Sequence, residues 1–347
     1  MKRHLLFLAA LLIVNLAASA QQKFSVYAVG FYNQENLFDT CHDEGKKDYE
    51  YLPNKGWNGM KYTNKLRNMS KALADMGTDV LPNVGCAFIG LSEVENHKVL
   101  DALVDQAPLK ARNMKYVHIE GPDRRGIDCA LLYNPSLFSV KNVKLLPYVQ
   151  ELAKDSAFFT RGFLTVRGEM AGDDVAVIVC HWPSRFSGPF YRESAARQVK
   201  VIKDSLLNVN QEMKIFVMGD MNDDPVNKSM HVYLQAKPEI SQVGAGDMYN
   251  PWYNVLSKEG KGTLFYSGNW NLFDQIVITP NLLNKDAKKK DYSSLKYWKS
   301  HIFRRDYLIQ QEGQYKGAPL RTTAGGRWLN GYSDHLPVVM YLVKEKK

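Results

Sequence analysis

A set of polar clusters in this chain combines the residue types that hydrolytic chemistry needs. They are Asn33-Gln34-Glu35-Asn36, Ser92-Glu93-Val94-Glu95-Asn96, His181-Trp182-Pro183-Ser184-Arg185, Gly219-Asp220-Met221-Asn222, Asp274 and Ser333-Asp334-His335. Taken singly, each has a plain explanation. Asx and Gly form turns, and a glutamate near a helix start is favoured by the helix dipole. Together they supply carboxylates, amides and two histidines, with no thiol among them. Hard oxygen donors such as Glu93, Asp334 and the Asn33 amide oxygen suit Mg²⁺, Mn²⁺ or Ca²⁺, whereas zinc asks for more imidazole or thiolate. Histidine and carboxylate add general acid–base groups. A hard cation beside them fits attack of water on phosphorus.

The elements that must position these groups are short. Apolar, often β-branched runs span Phe24 to Phe31, Cys86 to Leu91, Ile127 to Tyr133, Val175 to Cys180, Ile215 to Met218, Phe273 to Ile278 and Val338 to Leu342. Runs of this length, bounded by Gly, Pro, Asn or Asp, read as buried strands. Helical patterns cover Thr63 to Met76 and Arg192 to Leu207, the second with a partly apolar face. Many short strands, a few helices and no linker predict a single layered α/β domain over residues 21–347. Most clusters sit where a strand ends, which is where such proteins place their chemistry. Two stretches are irregular, Cys41 to Lys61 and Lys285 to Gly331. The second carries Lys288-Lys289-Lys290, Trp298, Arg304-Arg305, Arg321, Arg327 and Trp328. Loops of that size are functional or disordered.

Residues 1–20 read differently. Lys2 and Arg3 precede an apolar run from Leu5 to Val14 that ends in Ala17-Ala18-Ser19-Ala20, the pattern of a cleaved signal peptide. A membrane anchor is the weaker reading, because a spanning helix needs about 20 apolar residues and Asn15 interrupts this run. Export to the periplasm or beyond follows as an expectation. The formal charge is +9, or +7 without Lys2 and Arg3, which suits an anionic substrate but is too spread to prove nucleic-acid binding. Cys41, Cys86, Cys129 and Cys180 show no zinc or redox spacing. Cys129 and Cys180 read as core residues, and a Cys41–Cys86 bridge stays open, since export would permit it.

In order and spacing, Asn33-x-Glu35, Ser92-Glu93, His181, Gly219-Asp220-x-Asn222, Asp274 and Ser333-Asp334-His335 resemble the endonuclease/exonuclease/phosphatase superfamily, across about residues 24–343. The resemblance implies a four-layer α/β/β/α sandwich of two packed mixed sheets, with the site along one edge. It implies Glu93 as principal metal ligand, assisted by Asn33, Glu35 and Asp334. Asp220 would orient or deprotonate the attacking water, and Asn222 would hold Asp220 or the phosphate. His335, oriented by Asp274, would bind the phosphate, and His181 would face it from the other side and help protonate the leaving oxygen. In DNase-like relatives a glutamate pairs with this histidine. The matching place here is Glu120, so a Glu120–His181 hydrogen bond is expected. Glu35 departs from the aspartate of many relatives. Arg125 and Arg185, outside the shared pattern, are candidate phosphate clamps.

Phe273-Asp274-Gln275 and Asp223-Asp224-Pro225 differ from the corresponding motifs of inositol polyphosphate 5-phosphatases, and Asp274-Gln275 from the Asp-Tyr of abasic-site endonucleases. Gly219 to Pro225 and His181 to Arg185 are similar to exported bacterial nucleases of the family. The expectation is therefore a secreted, monomeric phosphodiesterase using Mg²⁺ or Mn²⁺, with Ca²⁺ possible, and acting on nucleic acid. The segment Lys288 to Trp328 would then track the backbone and stack on bases. The alternatives are a phosphomonoesterase or phospholipid head-group hydrolase, and a catalytically inactive polyanion-binding module.

Overall fold

The computed structural model describes residues 24–151, 159–286 and 288–346. The signal peptide read at 1–20 lies outside them. The strands are β1 (Phe24–Leu37), β2 (Cys86–Val94), β3 (Lys115–His118), β4 (Asp128–Tyr133), β5 (Phe138–Leu146), β6 (Phe163–Met170), β7 (Asp173–His181), β8 (Lys214–Asp220), β9 (Ala236–Lys237), β10 (Met248–Tyr249), β11 (Leu264–Tyr266), β12 (Asn269–Asn271), β13 (Asp274–Ile278), β14 (Lys296–Ile302), β15 (Thr323–Ala324), β16 (Arg327–Trp328) and β17 (Val338–Glu345). One sheet has the order β14-β17-β1-β2-β4-β3 and the other β5-β6-β7-β8-β13-β10-β9. Both are mixed. β1 pairs parallel with β2 and antiparallel with β17, while β7 pairs parallel with β8 and antiparallel with β6.

Strand alternation explains the layers. On β1, Val29 and Phe31 enter the core between the sheets, whereas Ala28 and Tyr32 face helices. On β7, Val175, Val177 and Val179 face the other sheet, and Ala176, Ile178 and Cys180 face a helix. Helix α1 (Gly59–Asp75) covers the first sheet through Leu66, Met69 and Leu73, together with α2 (His97–Val104). Helix α3 (Ala107–Ala111) is short and adds Leu109 to that layer. Helix α4 (Pro189–Val209) covers the second sheet through Ala195, Ala196 and Val199. The result is the α/β/β/α sandwich that the resemblance implied.

Local chemistry sets the helix ends. The Asn58 side chain accepts the Lys61 N–H at the start of α1, and Pro189 opens α4 where its missing N–H costs nothing. Among the described residues no helix is long and apolar enough to cross a membrane. All four cysteines are free thiols, so the Cys41–Cys86 bridge is not formed. Cys41 is exposed, and Cys86 is buried with its Sγ donating to the Met76 carbonyl at 3.6 Å.

Candidate active site

The alternation that fills the inter-sheet core also carries the polar groups to one place. His181 follows Val179 by two residues on β7, Asp220 follows Met218 on β8, and Asp274 precedes Ile276 on β13. Each therefore points the same way as its core neighbour. His181 and Asp220 are register partners, as are Asp220 and Asp274, so three adjacent strands present them side by side. Gly219 lets those strands meet. A Cβ there would lie 2.3 Å from the Cys180 carbonyl oxygen.

The other sheet contributes through irregularity. Pairing of β1 with β2 shifts between Asn33 and Leu37, and that of β2 with β4 shifts between Ser92 and Val94. Glu35, Asn36 and Glu93 have positive φ of 45°, 58° and 60°. Alternation alone would aim Glu93 with Leu91 at the helices. The bulge turns it into the cleft instead.

Asn33 Nδ2 donates to Asp220 Oδ2 at 3.0 Å and to Glu93 Oε1 at 3.3 Å. Its amide oxygen accepts the Glu35 N–H at 2.8 Å, so it faces away from the cleft and the expected oxygen ligand is replaced by a donor. Asp220 Oδ1 accepts the Asn222 N–H at 2.9 Å, and Asn222 Nδ2 is tied to the Trp182 carbonyl. Glu93 Oε2 accepts the Asn36 N–H at 3.0 Å. Glu93, His181 and Asp220 each offer a ligand atom, all within 4.8 Å of one another. Two carboxylates and one imidazole at that spacing fit a divalent cation.

The histidines differ in charge. His335 Nδ1 pairs with Asp274 Oδ2 at 2.7 Å, and Nε2 lies 3.8 Å from Asp220 Oδ2. Burial opposes its protonation, but Asp274 and Asp220 overcome it and hold the imidazole well above its ordinary value. His181 is pushed well below its ordinary value by burial, with the Arg161 and Arg125 charges adding to the effect. Burial raises Asp220 to about 7, with His335 opposing and Asp274 reinforcing the rise.

Glu35 and Asp334 stand apart from the three grouped ligands. Arg321 Nε bonds Glu35 Oε1 at 3.1 Å and Arg321 Nη2 bonds Asp334 Oδ2 at 3.0 Å. Burial, reinforced by Asp334, lifts Glu35 to about 7, against the pull of Lys65 and Arg321. In the sequence Arg321 carries no signal beyond its place in a basic stretch.

Three further expectations are corrected. Glu120 makes no contact with His181. Its side chain is 60% exposed and lies 3.4 Å from Lys46 Nζ. It lies two residues beyond β3, the edge strand of the six-stranded sheet, and the next residue is anchored elsewhere, Gly121 N to Asp128 Oδ1 and Gly121 O to Lys46 Nζ. His181 Nδ1 is buried without a hydrogen-bond partner among the described residues. Beside it is Arg161, which bonds the Trp182 carbonyl and Asp123 while its Nε is unpartnered. Thr160-Arg161-Gly162 immediately precedes β6, so the sequence signal for Arg161 is a polar cluster before an apolar run.

Arg185 is committed to structure, with Nε on Asn222 O, Nη1 on Asn271 Oδ1, and Nη2 on Asp224 Oδ2 and Asn227 Oδ1. It is not a free phosphate clamp. Arg125, by contrast, is exposed and lines the same cavity of about 320 Å³ as Glu93, His181, Asp220 and His335. Finally, Lys288, Lys289 and Lys290 lie far from the cleft. Tyr292 packs on Phe24 and accepts the Glu345 N–H, and Leu295 N bonds Asp173 Oδ2. Phe24 and Asp173 begin β1 and β7, whereas the site lies where those strands end.

A two-sheet sandwich with a carboxylate–imidazole cluster and an assisted histidine at one rim defines a metal-dependent phosphoester hydrolase. The profile of the endonuclease/exonuclease/phosphatase family matches residues 28–344, and the chain belongs to that family. Among similar solved structures is a Bacteroides thetaiotaomicron protein of the same family, 14% identical, with TM-score 0.54 over 94% of this chain and 97% of that one. A B. thetaiotaomicron mannosyl-6-phosphatase is 14% identical, with TM-score 0.53 over 91% and 99%. Danio rerio TDP2 in complex with a single-strand DNA product is 11% identical, with TM-score 0.53 over 92% and 99%. At these identities the likeness is one of fold. No curated protein matches the chain.

Proposed function

We propose that this chain is an exported nuclease-like phosphodiesterase that hydrolyses nucleic acid with Mg²⁺ or Mn²⁺. The observation that carries the substrate reading is the shape of the cleft. The site cavity shares Ser184, Phe186 and Asn222 with a second cavity, and that one shares Tyr266 with a third of about 820 Å³ reaching Tyr315 and Arg321. A chain of cavities with exposed Phe186 and Tyr266 along it suits an extended, base-bearing strand. A terminal phosphate would need only the first cavity. The single-strand DNA product held by D. rerio TDP2 agrees with this reading. The exposed Arg125 guanidinium, lining the same cavity as Arg161, is what favours a phosphomonoesterase, since two positive charges suit a dianion.

Glu93, Asp220 and His181 are the residues placed to hold the ion. When bound, it would supply positive charge to phosphoryl oxygens and lower the pKa of water. Asn33 and the Asn222 N–H fix Asp220 so that it orients water for attack on phosphorus. His335, held charged by Asp274, hydrogen-bonds a phosphoryl oxygen and can yield its Nε2 proton to the leaving oxygen. His181, kept neutral, donates or accepts at one nitrogen without adding charge. Arg125 binds the non-bridging oxygens, and Arg161, bonded to Asp123 and the Trp182 carbonyl, adds fixed charge behind it.

Incubating the mature chain with Mn²⁺ and, separately, single-stranded DNA, RNA, sphingomyelin and sugar phosphates tests the reading. Cleavage of an oligonucleotide with loss of activity in EDTA is expected. Release of phosphate from sugar phosphates alone would replace it with the monoesterase.

A further inference from the structure

Beyond the reacting groups, one surface is built in a way that core packing does not require. Phe186 is 99% exposed. Its short turn, Arg185–Ser187, is nevertheless tied to its surroundings by hydrogen bonds. Arg185 is held by its four hydrogen bonds and lies 4.4 Å over the Phe273 ring. Behind it Arg192 Nη1 bonds the carbonyls of Ser184 and Gly188 at 3.0 and 3.1 Å. A slack loop would fold its phenyl ring back onto the surface. This one holds the ring out in water.

The second wall is Tyr266, 66% exposed on the hairpin of β11 and β12. That hairpin is tied to the site itself. Leu264 bridges to His335, the Leu336 N–H donates to the Thr263 carbonyl, and Asn271 receives Arg185. Between the two aromatics is a largely apolar cavity of about 320 Å³ that shares Ser184, Phe186 and Asn222 with the catalytic cavity.

We propose that this cavity is a nucleobase subsite, in which Phe186 and Tyr266 receive the base attached to the phosphate under attack. The inference rests on the phosphodiesterase reading above. A base is planar and apolar on its faces, matches an aromatic wall, and is sequence-tolerant in stacking. A group bonded to a phosphate at Asp220 and His335 enters the neighbouring cavity directly, because the two share walls. The recess is concave between its aromatics, whereas a lipid surface is met by a convex apolar patch. Phe186 thus selects substrates by what the phosphate carries.

Two measurements test it. The first compares thymidine 5′-(p-nitrophenyl phosphate) with methyl p-nitrophenyl phosphate, which have the same leaving group and differ by the nucleoside. Wild type should favour the thymidine ester in kcat/KM by about tenfold or more. F186A should erase most of that ratio through KM, and F186W should keep it. A ratio unchanged in F186A overturns the subsite. Hydrolysis of neither ester overturns the phosphodiesterase reading.

The second measurement needs no turnover. In EDTA, oligodeoxythymidylate should quench the added tryptophan emission of F186W relative to wild type. Quenching by sphingomyelin vesicles and not by the oligonucleotide would replace the base with a lipid. No quenching by either would overturn the subsite whatever the hydrolysis shows.

Discussion

Glu35 and Asp334 face Arg321 rather than the three grouped ligands. A guanidinium there supplies fixed positive charge to a carboxylate-rich site, and it competes with any divalent ion for those two oxygens. R321M should therefore bind Mn²⁺ several-fold more tightly by calorimetry, while melting at a lower temperature in EDTA because buried Glu35 and half-buried Asp334 lose a shared partner. Weaker Mn²⁺ binding by R321M would show that the arginine supports the ion instead. Protons compete for the same groups. Asp220 and Glu35 are both raised to about 7, so each carries a proton for much of the time just below neutrality when no ion is present. A cation must displace those protons. Mn²⁺ affinity should be full above pH 7 and decline as pH falls through it. Calorimetry in buffers of different ionisation heat should register proton release at pH 6.5 and little at pH 8.5. For Glu120, exposed and paired with Lys46, E120Q should change turnover by less than about twofold, as expected of a surface ion pair. A large loss would restore the pairing with His181.

At the scale of elements, β7, β8 and β13 carry the site because their core-facing positions run on into polar residues at one end. That much was legible from sequence. The apolar runs Val175 to Cys180 and Ile215 to Met218, with His181 and Asp220 just beyond, fall within β7 and β8. The Asp274–His335 pair also lies where the resemblance set it. What alternation could not disclose was the bulges. A period of two assigns Glu93 to the helix-facing side, and only the register shift with φ near 60° turns it inward. Nor could it disclose Arg161 and Arg321, whose partners are remote in sequence, or the anchoring of Gly121 that leaves Glu120 outside. Gly219 is a further close constraint at the site. G219A should destabilise the fold by about 1–3 kcal/mol, read as a lower denaturant midpoint, and should cost activity as well, since the strands carrying His181 and Asp220 must separate. An unchanged midpoint would mean that the Cys180 carbonyl yields without cost.

Across the whole molecule, positive charge is divided between the cleft and the far end of the strands. Only charges that meet phosphates of the bound strand contribute to counterion release on binding. Replacing Lys288, Lys289 and Lys290 with glutamine should leave the salt dependence of single-strand affinity unchanged. R125Q should lower its log–log slope by about 0.7, measured by fluorescence anisotropy of a labelled oligonucleotide in EDTA across a sodium chloride series. A flattened slope in the triple lysine variant would place the strand at the opposite end of the sheets.

The pairing of β1 with both β2 and β17 has a temporal meaning as well. Synthesis makes Asn33 early and Asp334 and His335 near the end, and β1 has a free edge until β17 closes it, Phe24 against Glu345. Contacts so distant along the chain form late in folding. A growing polypeptide that has already made Glu93, His181 and Asp220 still lacks the histidine that Asp274 holds in its charged state. The hydrolase comes into being only when its last strand is laid beside its first, so a ribosome-bound chain that has not yet reached Asp334 and His335 has no assembled site.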